Sequence, residues 1–415
     1  MTAASLMLGP QRLALTFAML LSGSFWLLPF SRSFHLVLLA FLGVAIYRVF
    51  VTPVSFVLEP AKKIWLLANA CFALPMLVSA FGGGELEKPL TFFSLQLIIC
   101  FSGFVVIDVS RNELMLKYFH RISLAVLLFW TLDLLIQVTV GEDLFGFAND
   151  PRPGIYFSSH FKFGFYYAAL SPLLLFNPIF LRWPLKLTLF IYVLVLAVVL
   201  CCNTRAAWLV FSFVSVLWFG HLLRQGRVRV WQLALFVAGV AAVFVALLTG
   251  NNDFKQRVVT LLPMLNSIHS VQDVIPVRSS LWASIGSMID AKPWFGSGAG
   301  NFETAYVLYA DKALGPDKVF PHAHQVILDI LVGTGILGLA GWLILHGALL
   351  KLWFQSNTRS LALPVILIPF LMWFPLNTHR GVYTSELMQF TWLWLAMGIG
   401  LLTQSYSPRE GLSHT

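Results

Sequence analysis

Two histidines separated by one residue stand in Pro321-His322-Ala323-His324-Gln325, directly before the apolar run Val326 to Leu331. Imidazole is the side chain best suited to moving a proton near neutral pH, and proline is favourable where a helix begins, so His324 is expected in the first turn of a membrane-spanning helix. The positive end of the helix dipole and low-dielectric surroundings both disfavour imidazolium there, leaving a neutral ring that can accept a proton. The ordinary alternative is an interfacial polar anchor. A His-x-His pair also suggests zinc, but third and fourth ligands at a recognisable spacing are missing, so no metal is expected. Arg205 follows Cys201-Cys202-Asn203-Thr204 at a tight turn between two apolar runs, a rigid mount for an anion. Arg278 opens an amphipathic segment in Val277-Arg278-Ser279-Ser280-Leu281-Trp282, although cations are disfavoured at helix N-termini. Arg152 is held in the stiff turn Asp150-Pro151-Arg152-Pro153-Gly154, and Lys88 lies in a short loop. Each of these cations also has an ordinary reading as a snorkelling or solvated side chain.

Asp133 and Asp329 fall inside apolar runs, where a carboxylate is a functional or pairing residue by default. Asp329 lies seven residues beyond His322, on the same face if both are helical, and about 140° around the helix from His324, so it is not expected to orient that ring. The stretch Gly296-Ser297-Gly298-Ala299-Gly300-Asn301-Phe302 looks like a phosphate-cradling loop, but a dinucleotide fingerprint needs a preceding strand. It reads as a tight join between helices, with anion binding by its backbone N–H groups as a secondary possibility.

These residues need a scaffold, and the composition leaves one class. Only 11% of the 415 residues are charged and 58% are hydrophobic, against about 25% charged in a soluble domain. That excludes a soluble fold, disorder and coiled coil, and predicts an all-α polytopic membrane protein. With about 20 apolar residues per crossing, twelve spans are placed at approximately 12–30, 34–51, 64–81, 90–107, 119–140, 160–176, 185–202, 205–222, 231–249, 324–349, 361–375 and 385–403. The first reads as a retained helix rather than a cleaved signal, because it lacks an Ala-x-Ala site. The eleventh, with Pro364, Pro369 and Pro375, is expected to be broken or tilted. The four cysteines all sit in apolar runs and read as small embedded hydrophobes.

Short loops rich in Lys and Arg remain in the cytoplasm. With the N-terminus inside, fifteen of the 27 basic residues are cytoplasmic, and the short outer loops hold six: Arg32, Lys88, Arg152, Lys162, Arg205 and Arg380. Both termini are therefore expected inside. The net charge of +9 reflects topology, and no nucleic-acid partner is expected. The division is residues 1–249 with nine spans, an outer loop 250–321, spans ten to twelve in 322–403, and a tail 404–415. A loop of that length is functional or disordered. Leu281, Trp282, Ile285, Met288 and Ile289 recur at helical spacing, as do Phe302, Tyr306 and Tyr309, which predicts amphipathic helices at 279–290 and 301–311 lying on the membrane surface.

The order Arg205, then Arg278 with Leu281-Trp282 and Met288-Ile289-Asp290-x-x-Pro293-x-x-Gly296-x-Gly298-x-Gly300-Asn301-Phe302, then His322-x-His324-Gln325 with Gly333-x-Gly335-x-x-Gly338, resembles the O-antigen ligase/polymerase superfamily. The resemblance covers roughly residues 150–350. One large outer loop between spans nine and ten resembles the ligase branch. The polymerase branch pairs each of two loop arginines with a glycine eleven residues on, where this chain has Val216 and Ile289. The resemblance implies transfer of O-antigen polysaccharide from undecaprenyl pyrophosphate to lipid A-core, with inversion, no cofactor and no external energy source. His324 would be the base, Arg205 and Arg278 would clamp the pyrophosphate with Arg152 assisting, Lys88 would be a further cation, and His322 would be supporting. The donor, the lipid A-core acceptor and membrane lipids are the expected partners. From another class, a polysaccharide transporter or flippase also needs a dozen helices, but its ionisable residues gather at mid-membrane on repeat-related broken helices.

Overall fold

The computed structural model describes residues 9–28, 34–51, 59–82, 85–148, 154, 160–202, 204–250, 276–309, 320–374 and 381–404. These hold fourteen α-helices. They are α1 (Pro10–Trp26), α2 (Phe34–Val51), α3 (Pro60–Gly82), α4 (Glu87–Ser110), α5 (Glu113–Val140), α6 (His160–Leu175), α7 (Leu185–Cys201), α8 (Arg205–Arg224), α9 (Val230–Gly250), α10 (Pro276–Ala291), α11 (Phe302–Tyr309), α12 (Val326–Gln355), α13 (Arg359–Met372) and α14 (Ser385–Leu402). Each of the twelve apolar runs carries a helix. Five, α3, α4, α5, α8 and α12, are long and apolar enough to cross a bilayer, while α2, α6, α7, α9 and α13 supply shorter apolar stretches. In α13, Pro364 and Pro369 sit within a continuous helix.

Between apolar helices the hydrophobic effect discriminates little in lipid, so small residues and polar contacts decide the packing. Gly341 of α12 lies against the Cys71 carbonyl of α3, and Gly400 of α14 against Ile107 and Ser110 of α4. A side chain at Gly103 would overlap the indole of Trp65, whose Nε1 donates to the Cys100 carbonyl at 2.8 Å. Gln96 Nε2 donates to Asn69 Oδ1 at 2.7 Å, joining α3 and α4 within the bundle.

Contacts sort the helix ends into two sets. At one end Arg48 and Lys62 meet Asp108 at 2.9 and 3.1 Å, Arg111 meets Glu59 at 2.6 Å and Thr403 at 2.9 Å, and Arg227 donates to the Leu181 and Trp183 carbonyls. All four cations belong to the set that the charge asymmetry assigns to one side. Away from these contacts, the loop helices pack at the start of α12, Asn301 reaches Glu85 just before α4, and Val382 just before α14 meets Asp329.

The loop helices bury their apolar stripes inside the protein. Leu281, Ile285 and Met288 of α10 close against Phe302, Ala305 and Tyr306 of α11 and against Ala323 and Val332. The expected surface-lying helices are therefore corrected: the face read as lipid-directed packs on the start of α12.

Candidate functional site

Helix α12 is about 45 Å long at the usual rise per residue and is interrupted at Gly335, whose φ of 65° and ψ of −161° belong to a region open essentially to glycine. Backbone groups freed at membrane depth must find other partners. Here the segment 293–298 supplies them. Ser297 N–H donates to the Val332 carbonyl at 2.7 Å and Gly298 N–H to the Gly333 carbonyl at 3.0 Å, while the Pro293 and Trp294 carbonyls accept from Ile336 N–H at 2.8 Å and Leu337 N–H at 3.3 Å. The glycine-rich loop is thus spliced into a broken helix. Its neighbours hold it there: Ala299 N–H donates to Ser79 Oγ at 3.3 Å, and the Asn301 amide donates to the Glu85 carbonyl at 2.8 Å. The secondary reading of this loop as an anion cradle falls for the amides of Ser297, Gly298 and Ala299, because α12 and Ser79 already occupy them.

The splice fixes the upper segment of α12, and the histidines precede it. Gln325 is the N-cap, with its side-chain oxygen accepting from Leu328 N–H at 2.6 Å. His324 is therefore not in the first turn; it stands one residue outside the helix, displaced by the capping side chain. It has φ of 53°, the only positive φ outside glycine among the described residues. That left-handed turn points the His324 N–H back at His322 Nδ1, 3.1 Å away, and sets the two rings 4.0 Å apart between centroids. Phe320 packs edge-on against His324.

Ala323, fully buried between two half-buried histidines, is tied on both sides. Its N–H donates to Asp329 Oδ1 at 3.1 Å and its carbonyl accepts from Trp282 Nε1 of α10 at 3.3 Å. The second oxygen of Asp329 accepts from Val382 N–H at 2.6 Å, which draws the α13–α14 connection onto the turn. A Cβ at Gly381 would lie 2.8 Å from His322 Cβ and 3.2 Å from Asp329 Oδ2. The expectation that His322 and Asp329 share a helix face is overturned, since His322 is not helical; Asp329 acts on the backbone between the imidazoles instead. Thr334 and Tyr383 hydroxyls pair at 2.7 Å just below.

Among the other sequence candidates, Arg205 is the first residue of α8, in a turn whose Cys202 and Thr204 pack on Gly164 of α6. Two residues beyond Gly164, Tyr166 packs edge-on against Phe390 of α14, ring centroids 5.2 Å apart. Lys88 is half-buried at the start of α4, next to Pro89, which packs against Gly298 of the spliced loop. Arg278 is the third residue of α10, which begins at Pro276 rather than 279, and its side chain lies outside the described residues. Arg152 also lies outside them. Asp133 is a pairing residue: its Oδ1 accepts from Leu144 N–H at 2.8 Å and holds the turn after α5.

Sequence reasoning missed Trp282 as a donor, Asp329 as a clamp and the Gly381-Val382 wall. The available signal was an isolated carboxylate in the first turn of an apolar helix, a place where it meets free backbone N–H groups.

No curated protein matched the chain. Residues 190–343, running from within α7 through the loop helices and the histidine turn to beyond the break in α12, match the family model described as O-Antigen ligase, and the likeness of that segment supports the O-antigen ligase superfamily.

Proposed function

We propose that the chain is an O-antigen ligase of the bacterial inner membrane, transferring O-antigen polysaccharide from undecaprenyl pyrophosphate to lipid A-core oligosaccharide at the periplasmic face. The matched domain supports the superfamily, and the basic residues gathered at the opposite end of the bundle support an outward-facing histidine end. In this reading nine helices of residues 1–249 and three of 322–403 cross the membrane around the outer loop 250–321.

The single observation that carries the chemistry is the locked His322–His324 turn. With Nδ1 of His322 accepting from a backbone N–H, a neutral His322 carries its proton on Nε2. Neither nitrogen then offers a lone pair to an acceptor alcohol, which leaves His324 as the base. An acceptor hydroxyl oxygen bonds to the anomeric carbon as the bond to the pyrophosphate oxygen breaks, its electron pair leaving with the diphosphate. The hydroxyl proton passes to the His324 imidazole, and attack opposite the leaving group inverts the centre. Arg205 and Arg278, assisted by Arg152, stabilise the departing charge through guanidinium contacts that lysine does not reproduce, with Lys88 as an added cation.

The test is complementation of a ligase-deficient strain with His324→Ala, Arg205→Ala and Arg278→Ala, read as O-antigen ladders on gels. Loss of ladders at normal membrane levels is expected, and full ladders from His324→Ala would remove the base assignment. Purified protein in detergent, with a defined undecaprenyl pyrophosphate donor and no gradient, is expected to form ligated product; a product lengthened on the donor lipid would mean a polymerase, and no product under conditions that support vesicle translocation would mean a transporter.

A further inference from the structure

We propose that Asp329 is the positioning residue of the histidine turn, holding the backbone between His322 and His324 against the α13–α14 connection so that both imidazoles keep a fixed orientation. The proposal rests on the reading of His324 as the base. Asp329 is 4% exposed, and its two oxygens accept from amides in two separate segments, Ala323 N–H six residues before it and Val382 N–H 53 residues after it. A carboxylate that accepts two backbone N–H groups suits the N-terminal turn of a helix, where the dipole favours negative charge. It is thus more than a cap on its own helix, because one carboxylate joins the start of α12 to a connection from the far end of the chain.

The consequence for the imidazoles follows from what surrounds Ala323. Asp329 holds its N–H, the Trp282 indole holds its carbonyl, and its methyl group is buried, so the residue linking the two histidines has no freedom to rotate. His324 is thereby kept in a left-handed conformation, which costs a non-glycine residue about 1 kcal/mol or more unless its surroundings impose it. That conformation aims the His324 N–H at His322. Asp329 Oδ2 and His322 Cβ each lie within 3.2 Å of one point beside Gly381, so they are at most about 6 Å apart.

The experiment compares purified wild-type protein, Asp329→Asn, Asp329→Glu and His324→Ala, using a defined undecaprenyl-pyrophosphate-linked oligosaccharide and lipid A-core, with kcat and KM measured across pH. In Asp329→Asn one amide N–H faces an NH2 group, so a loss of kcat of tenfold or more with KM changed less than twofold is expected. Asp329→Glu keeps the two acceptor oxygens but not their reach to Ala323 and Val382, and is expected to lower kcat at unchanged KM as well. Wild-type kcat in folded Asp329→Asn, beside an inactive His324→Ala, would overturn the positioning role alone; an active His324→Ala would overturn the base reading whatever Asp329 does. If Asp329→Asn does not fold, Trp282→Phe decides, since it loosens the same turn from its other side. A severalfold lower kcat at unchanged KM supports the proposal, and a wild-type kcat overturns it.

Discussion

The break in α12 makes Gly335→Ala the most informative single perturbation. The residue has φ of 65° and ψ of −161°, and a Cβ there would overlap the carbonyl of Trp294 and the nitrogen of Phe295. Two responses are open. If the bend is kept, alanine sits in a glycine-only region at about 1–3 kcal/mol, and the overlap with backbone adds to it. If α12 straightens and closes its own hydrogen bonds, the loop loses all four bonds that cross to the helix, each worth about 0.5–1.5 kcal/mol net, or about 2–6 kcal/mol together. Either route shifts the balance toward an undocked loop by at least about 2 kcal/mol, roughly thirtyfold. Hydrogen exchange reads this directly: the Ser297 and Gly298 amides are expected to exchange about thirtyfold faster. Gly347→Ala is the control in the same helix, since nothing lies within 4 Å of a Cβ there; it is expected to leave exchange at the loop unchanged and to add about 0.5–1 kcal/mol of helix stability. Transfer activity should follow the loop, because straightening swings the upper segment of α12, with Asp329 and the histidine turn, away from α10. Unchanged exchange at 293–300 in Gly335→Ala would refute the splice as the element that holds the loop.

Two further outcomes concern the opposite end. Asp108→Asn removes the anion shared by Arg48 and by Lys62, whose side chain is 4% exposed; with Asp108 itself partly open to solvent, a loss of about 1–3 kcal/mol is expected in thermal unfolding of the detergent-solubilised protein, and an unchanged midpoint would mean that Lys62 does not depend on this carboxylate. Glu59 is held below the ordinary carboxylate range chiefly by its hydrogen bond from Arg111. Its contribution to stability is therefore complete above that range and lost as pH falls through the lowered value, so between about pH 5 and pH 3 the wild-type midpoint should fall more than that of Glu59→Gln, and parallel curves would count against the pairing.

What was legible in the sequence was set by water's absence from the membrane. Each apolar run had to close its own backbone hydrogen bonds, so every run expected to span carries a helix, and Arg48 and Lys62, expected on one side, meet on the same carboxylate of Asp108. The residue types of the candidate turn were legible and its geometry was not. The spacing of His322-x-His324 was plain, but the helix geometry assumed for the pair was wrong, because Gln325 caps α12 and leaves both histidines outside it. Capping of that kind is local, and a Gln before an apolar run is a weak signal beside Ser, Thr, Asp or Asn. Gly296, Gly298 and Gly300 read as a tight join between helices and Gly333 and Gly335 entered only through the family motif, although the two sets are halves of a single device. Each supplies the backbone groups the other lacks across more than thirty residues, a pairing no local pattern encodes. The same non-local logic governs Asp329: a carboxylate inside an apolar run announces a partner, but its partners are peptide N–H groups, which every residue but proline carries. Where the recognition is made by backbone, the side-chain sequence marks one side of the contact and is silent about the other.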